Sequence, residues 1–136
     1  MYETQLTVIG NLTADPQLAY TPAGAAFARF TLASTPRVFD TTTGRWADAE
    51  TLFIRCVAWR DLAENISESL SKGARVLAHG RLQQREYETP EGERRQSSEI
   101  EVDECGPSLR FATASVRRSG RHPSTANLER SSNGDH

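Results

Sequence analysis

Apolar and polar positions alternate with a period of two in several stretches of the chain, and once the pattern switches to a helical period. Residues 5–12, QLTVIGNL, form a short apolar strand that ends in Gly-Asn. In residues 25–34, AAFARFTLAS, Phe27, Arg29 and Thr31 alternate with Ala28, Phe30 and Leu32, the two faces of a longer strand. Residues 51–61, TLFIRCVAWRD, form a third strand. Leu52, Ile54, Cys56 and Ala58 suit a core, whereas Phe53, Arg55, Val57 and Trp59 point the other way. Directly afterwards, Leu62, Ala63, Ile66 and Leu70 fall at helical spacing and predict a helix of about three turns. Asp61 and Glu64 give it a capping-box-like start, and Gly73 a stop.

The strand period returns in residues 74–89, where Gly80 predicts a bend or bulge. PEGE at 90–93 is a hairpin turn into a fifth strand, 94–105. In that strand Ile100 and Val102 face the core and Glu99, Glu101 and Asp103 face water. SLRFATASV, 108–116, predicts one more strand. Turns are marked by Asp15-Pro16 and by Thr21 to Gly24. The polar stretch 36–50 reads as a long hairpin loop centred on Asp40 to Gly44. From Arg117 onward the chain has almost no apolar content and no period, the composition of a disordered tail. The organisation expected is one all-β domain over residues 1–116 and a short tail over 117–136.

Three strands, one short helix and two more strands, with long loops after strands two and four, is the order of the OB-fold. This five-stranded Greek-key barrel binds oligonucleotides across one face. A barrel so narrow is filled by side chains, so one face of each strand is apolar and the other is free for function. That assigns Phe53, Arg55, Val57 and Trp59 to an outer surface, where flat aromatics stack unpaired bases and an arginine neutralises phosphate. His79, Arg81, Gln83, Arg85 and Tyr87 share one face of the fourth strand, and the long loop adds Arg37, Phe39, Arg45 and Trp46.

Charge refines this picture without deciding it. The net charge is −2, and Lys72 is the single lysine among sixteen basic residues. Arginine stacks on planar groups and grips phosphate with two parallel bonds, although high genomic GC content also enriches it. Cys56 and Cys105 are far apart, so reduced buried thiols are expected rather than a disulfide or metal site. No membrane-length apolar run or signal-peptide layout occurs, and a cytoplasmic, nucleoid-associated protein is the expectation.

These residues resemble the bacterial single-stranded DNA-binding protein family from about Gln5 to Phe111. The most specific stretches are VIGNLTADPQLAYTPAGAAFARFTLAS and RCVAWRDLAENISESLSKGARVLAHGRLQQREYETPEGERR. The resemblance implies an OB-fold, a homotetramer, and wrapping of single-stranded DNA without strong sequence preference. It places base-stacking aromatics at Phe53, Trp59 and Tyr87, and a basic position at Arg55. A further family aromatic falls on Val38, with Phe39 and Trp46 as candidate substitutes. GPSLRFATA is similar to actinobacterial members, in which a C-terminal strand reinforces the tetramer. Family members end in an acidic tail that recruits replication and repair enzymes, whereas this sequence ends LERSSNGDH. No such recruiting peptide is expected, which suggests a paralogue specialised away from the main replication role.

The DNA-binding residues expected are therefore Arg37, Phe39, Trp46, Phe53, Arg55, Trp59, Arg81, Arg85 and Tyr87. No catalytic constellation, phosphate-cradling glycine loop, cofactor or metal site is expected, and the chain does not read as an enzyme. The competing reading is an OB-fold adaptor whose aromatic face is buried in an assembly. Duplex regulation ranks behind both, for want of a recognition helix. YETQLTVIGNL is an apolar terminal strand whose edge either pairs with another copy or pairs only within its own barrel.

Overall fold

A glycine lets the first strand serve two partners. In the computed structural model, which describes residues 3–120, β1 (Gln5–Leu12) pairs antiparallel with β7 (Arg75–Glu88). Its last two residues also pair with β3 (Ala26–Ser34), Asn11 opposite Ala33 and Leu12 opposite Leu32. At Gly10 a Cβ would lie 2.6 Å from the Ala33 carbonyl oxygen, so only glycine permits this crossing. β3 continues antiparallel to β6 (Leu52–Trp59), β6 runs parallel to β8 (Arg94–Pro107), and β8 returns antiparallel to β7. These five strands close a ring, which is the OB-fold barrel expected from the element order.

Three elements decorate the ring. β2 (Gln17–Tyr20) adds an edge strand beside β3, within a stretch whose sequence suggests turns alone. β4 (Arg37–Asp40) and β5 (Arg45–Asp48) form a separate two-stranded ribbon, the loop expected between the second and third barrel strands. α1 (Arg60–Ser69) closes one end of the barrel. Its buried Ala63 and Ile66, followed by Leu70, join a core built from Val8, Leu12, Phe30, Leu32, Val76, Ile100 and Val102. Ala28, Ala58 and Ala78 are fully buried among them, small residues that suit so narrow an interior. Burying each large aliphatic here contributes about 1.5–3 kcal/mol.

Gly80 is the bulge that its position suggests. The β7–β8 register shifts between His79 and Gly80, and a Cβ on Gly80 would lie 2.1 Å from the Glu101 carbonyl oxygen. Five expectations need correction. The helix starts at Arg60 behind an extended Trp59, and no side chain caps it, so Asp61 lies in the first turn instead of preceding it. Arg60 absorbs the strand-to-helix corner with a φ of 61°, in the left-handed region. Residues 108–116 form no strand: Ser108 donates its N–H to the Arg75 carbonyl at 2.8 Å, and no further edge pairs with the segment. There the Phe111 ring lies between the Arg75 and Arg110 guanidiniums instead, at 5.6 and 5.5 Å. Val57, placed on the outer surface, is only 1% exposed, and Leu52, placed in the core, is 52% exposed. Glu99, expected to face water, is only 6% exposed. Of the tail expected over 117–136, residues 121–136, with the recruiting-peptide question, lie outside the described residues.

Candidate nucleic-acid interface

The outer side of the barrel is built by side chains that alternate away from the core. On β6 they are Phe53, Arg55, Val57 and Trp59, and the register sets Trp59 opposite Phe27 and Val57 opposite Arg29 on β3. On its other side Val57 faces Glu101 of β8, so it forms the covered floor of a shallow groove. Trp59 and Phe27 make a tilted ring pair with centroids 5.3 Å apart, and the Arg29 guanidinium lies 5.6 Å from the centre of the Phe27 ring. Phe53 is 68% exposed at the far end of the strand, and Arg55 is exposed between them. Among the described residues Arg55 pairs with no carboxylate, which leaves its charge free for a ligand.

β7 and β8 form the other wall. Tyr87 is half-exposed near the end of β7, opposite Arg95. Glu99 lies on the side of β8 away from the core residue Ile100 and accepts hydrogen bonds from two strands. Arg29 Nη1 approaches one oxygen at 3.2 Å and Arg85 Nε the other at 2.8 Å. Burial of an unpaired carboxylate is costly, and the two guanidiniums satisfy it.

Arg81 shares alternation with Arg85 but has a different environment. Its guanidinium meets Asp103, Glu101 and Glu3 at 3.1, 3.3 and 3.8 Å. Hydrogen bonding to Asp103 raises its pKa further above the usual arginine value. Both arginines follow the bulge in one unbroken register, and their different places along β7 set Arg81 opposite Glu101 and beside β1 while Arg85 reaches Glu99.

The β4–β5 ribbon carries a second aromatic pair. Phe39 and Trp46 are directly opposite each other, with centroids 5.5 Å apart and an edge-on angle of 71°. Val38 is opposite Ala47, so it projects from the other face of the ribbon. Neither Phe39 nor Trp46 thus takes the direction of Val38, although both present exposed rings. Arg37 reaches Asp48 at 3.6 Å on the surface, and Arg45 is opposite Asp40 in register. The Thr42 amide, 2.8 Å from Asp40, holds that carboxyl below its ordinary range and fixes the turn.

The structure thus gathers Phe53, Arg55, Trp59, Arg85 and Tyr87 on one surface, keeps Arg37, Phe39 and Trp46 on the ribbon, and engages Arg81 with carboxylates. Phe27, Arg29 and Glu99 are not among the site residues expected from sequence. Alternation places Phe27 and Arg29 on one face, but only the β3–β6 register reveals Trp59 as their neighbour. The remaining chemistry is ordinary for a binding surface. His79 Nδ1 hydrogen-bonds Thr7 Oγ1 at 2.8 Å, and Glu86 and Glu93 pair with Arg94 and Arg95. Cys56 and Cys105 are free thiols, pushed by burial to about 12 and about 11. Among the described residues no cluster of three metal-ligating side chains occurs.

Comparison with known proteins agrees with this geometry. Residues 3–108 match the model of the single-strand binding protein family. A single-stranded DNA-binding protein of Mycobacterium tuberculosis is 60% identical over 119 residues, covering 88% of this chain and 73% of the relative. One from Paenarthrobacter aurescens is 59% identical over 120 residues, covering 88% of this chain and 70% of its own. Among solved structures, the small single-stranded DNA-binding protein from Streptomyces coelicolor superposes with a TM-score of 0.68 at 33% identity. That match covers 80% of this chain and 97% of the other. The barrel, its exposed aromatic and arginine face, and these likenesses together make the chain a member of the single-strand binding protein family.

Proposed function

We propose that this protein binds single-stranded DNA without sequence preference, by stacking bases on aromatic rings and neutralising the backbone with arginine. The observation that carries this reading is one exposed sheet face bearing Phe53, the Phe27–Trp59 pair and the unpaired Arg55. A single strand offers base faces to such a surface, and each stacked base contributes about 1–3 kcal/mol. A duplex hides those faces and offers only phosphate. The chain performs no catalysis on this reading. It coats single strands exposed during replication, recombination or repair, on the nucleoid in the cytoplasm.

Residues 1–116 act as the binding domain and 117–136 as its tail. The working unit is a homotetramer. In support, Ile9 of β1 and Leu77 of β7 are neighbours in register, 41% and 37% exposed, away from the aromatic groove. β1 pairs with β7 along its length but with β3 only at its end, so much of one edge remains open to another copy. Assembly there leaves the groove accessible, which separates this reading from an adaptor with a buried aromatic face.

The test is quenching of intrinsic tryptophan fluorescence during titration with oligo-dT, repeated with duplex DNA. Strong quenching by oligo-dT alone is the expected result. A folded oligomer, confirmed by light scattering, with no quenching by oligo-dT would falsify the stacking reading and favour the adaptor.

A further inference from the structure

Two arginines from opposite sides of the groove converge on one carboxylate. Arg29 comes from β3 and Arg85 from β7, and Glu99 of β8 holds one on each oxygen at 3.2 and 2.8 Å. Guanidiniums that share a carboxylate are close enough to share a phosphate, and without the anion their like charges would push them apart. Each uses one nitrogen on Glu99, and the side chains remain 47% and 52% exposed while Glu99 is 6% exposed. The unspent N–H donors therefore face solvent, and the carboxylate does not. Arg29 also lies 5.6 Å from the Phe27 ring centre, beside the Trp59 pair.

We infer that Arg29 and Arg85 form a phosphate subsite, gathered by Glu99, next to the Phe27–Trp59 base platform. The ligand is a backbone phosphodiester of the strand whose base stacks on that platform. Two guanidiniums and one carboxylate leave one net positive charge, which matches one phosphate. Glu99 acts as a positioning residue: it draws the arginines together and sets their charge at what one phosphate can neutralise. This rests on the single-strand reading above, and its failure is separable from the failure of that reading.

The experiment measures the salt dependence of oligo-dT affinity for the full chain, with folding of each variant checked by circular dichroism. In Arg29→Gln, Glu99 cancels Arg85, and the subsite loses its net charge. The slope of log affinity against log salt should then flatten by about 0.7 per groove. Between about 50 and about 200 mM salt that is roughly a 2.6-fold smaller loss of affinity. Adding Glu99→Gln to Arg29→Gln frees the Arg85 charge and should restore the wild-type slope. A purely structural Glu99 would produce no such restoration. An unchanged slope in Arg29→Gln, or a double variant that stays flat, overturns the inference. Should Arg29→Gln fail to fold, Arg85→Gln carries the same arithmetic, with Arg29 as the charge that Glu99 cancels. Wild-type protein that does not bind oligo-dT defeats the single-strand reading itself.

Discussion

Two aromatic pairs of almost equal spacing occupy different mechanical settings. Phe27 and Trp59, 5.3 Å apart, are cross-strand neighbours inside a closed barrel, backed by Ala28 and Ala58 in the core. Phe39 and Trp46, 5.5 Å apart, are cross-strand neighbours on a ribbon that forms its own two-stranded sheet. The ribbon is tied at its base by an Ala49 N–H to Pro36 carbonyl bond of 2.7 Å and by a Thr35–Thr51 hydroxyl contact of 2.8 Å. A two-stranded ribbon alone is marginally stable, whereas a closed sheet holds its side chains in place before any ligand arrives. The barrel pair is pre-organised for stacking, and the ribbon pair loses conformational freedom when it engages a base. Equal ring geometry therefore does not imply equal contribution to binding.

The largest expected effect comes from the barrel pair. Trp59→Ala removes one stacking surface and leaves Phe27 without its partner, so oligo-dT affinity should fall by about 1–3 kcal/mol, or roughly 5- to 150-fold. Equilibrium titration against wild type measures this. A loss below about two-fold in a folded variant would mean that the sheet pair is structural and the ribbon pair carries the stacking. Phe53→Ala is the companion measurement: at 68% exposure its removal tests stacking with little cost to the core.

How much of this was legible in the sequence depends on range. The alternation of β6 separates Cys56 and Ala58 from Phe53, Arg55 and Trp59 within one strand, and a period of two is local information. The order of elements led to the barrel for the same reason. Apart from the helix cap, what failed involves distant partners. Glu99 looked water-facing because alternation assigns a face but not what covers it, and its cover is Arg29, seventy positions away. Arg81 and Arg85 share alternation, yet Glu3, Glu101 and Asp103 surround the first and Glu99 holds the second. Residues 108–116 have a strand-like pattern, but a pattern becomes a strand only where an edge is available, and among the described residues none pairs with them. Val38 and Phe39 are adjacent in sequence and therefore opposite in direction, so a neighbouring ring does not simply stand in for the missing one.

A smaller effect is expected on the ribbon. Trp46→Ala should weaken oligo-dT binding only about two- to five-fold, because stacking there is partly offset by the ordering of the ribbon. Gly44→Ala sharpens the point. Gly44 has a φ of +71°, and a methyl group added there would meet nothing within 4 Å, so alanine strains the turn without a clash. It should reproduce the small loss of affinity and leave the thermal unfolding midpoint of the barrel unchanged. A midpoint that drops along with affinity would show the ribbon to be part of the cooperative unit, and the contrast between the pairs would collapse.

The smallest effect, nil at neutral pH, concerns the thiol beneath the barrel pair. Cys56 lies on the core side of β6, and burial raises its pKa from 9.0 to about 12. Between those values the folded state keeps a proton that the unfolded chain releases, so unfolding is favoured as pH rises. Stability from this group is complete below pH 9 and declines as pH climbs toward 12. Cys105, raised to about 11 by burial, acts in the same direction. Urea midpoints should be level from about pH 7 to 8.5 and fall above pH 9, more steeply in wild type than in Cys56→Ala. The difference between the two curves isolates Cys56 from every group that the two proteins share. Parallel curves would mean that water reaches the thiol, and the sheet under Trp59 would then be looser than the barrel geometry requires. In that case the pre-organisation that distinguishes the two aromatic pairs would lose its physical basis.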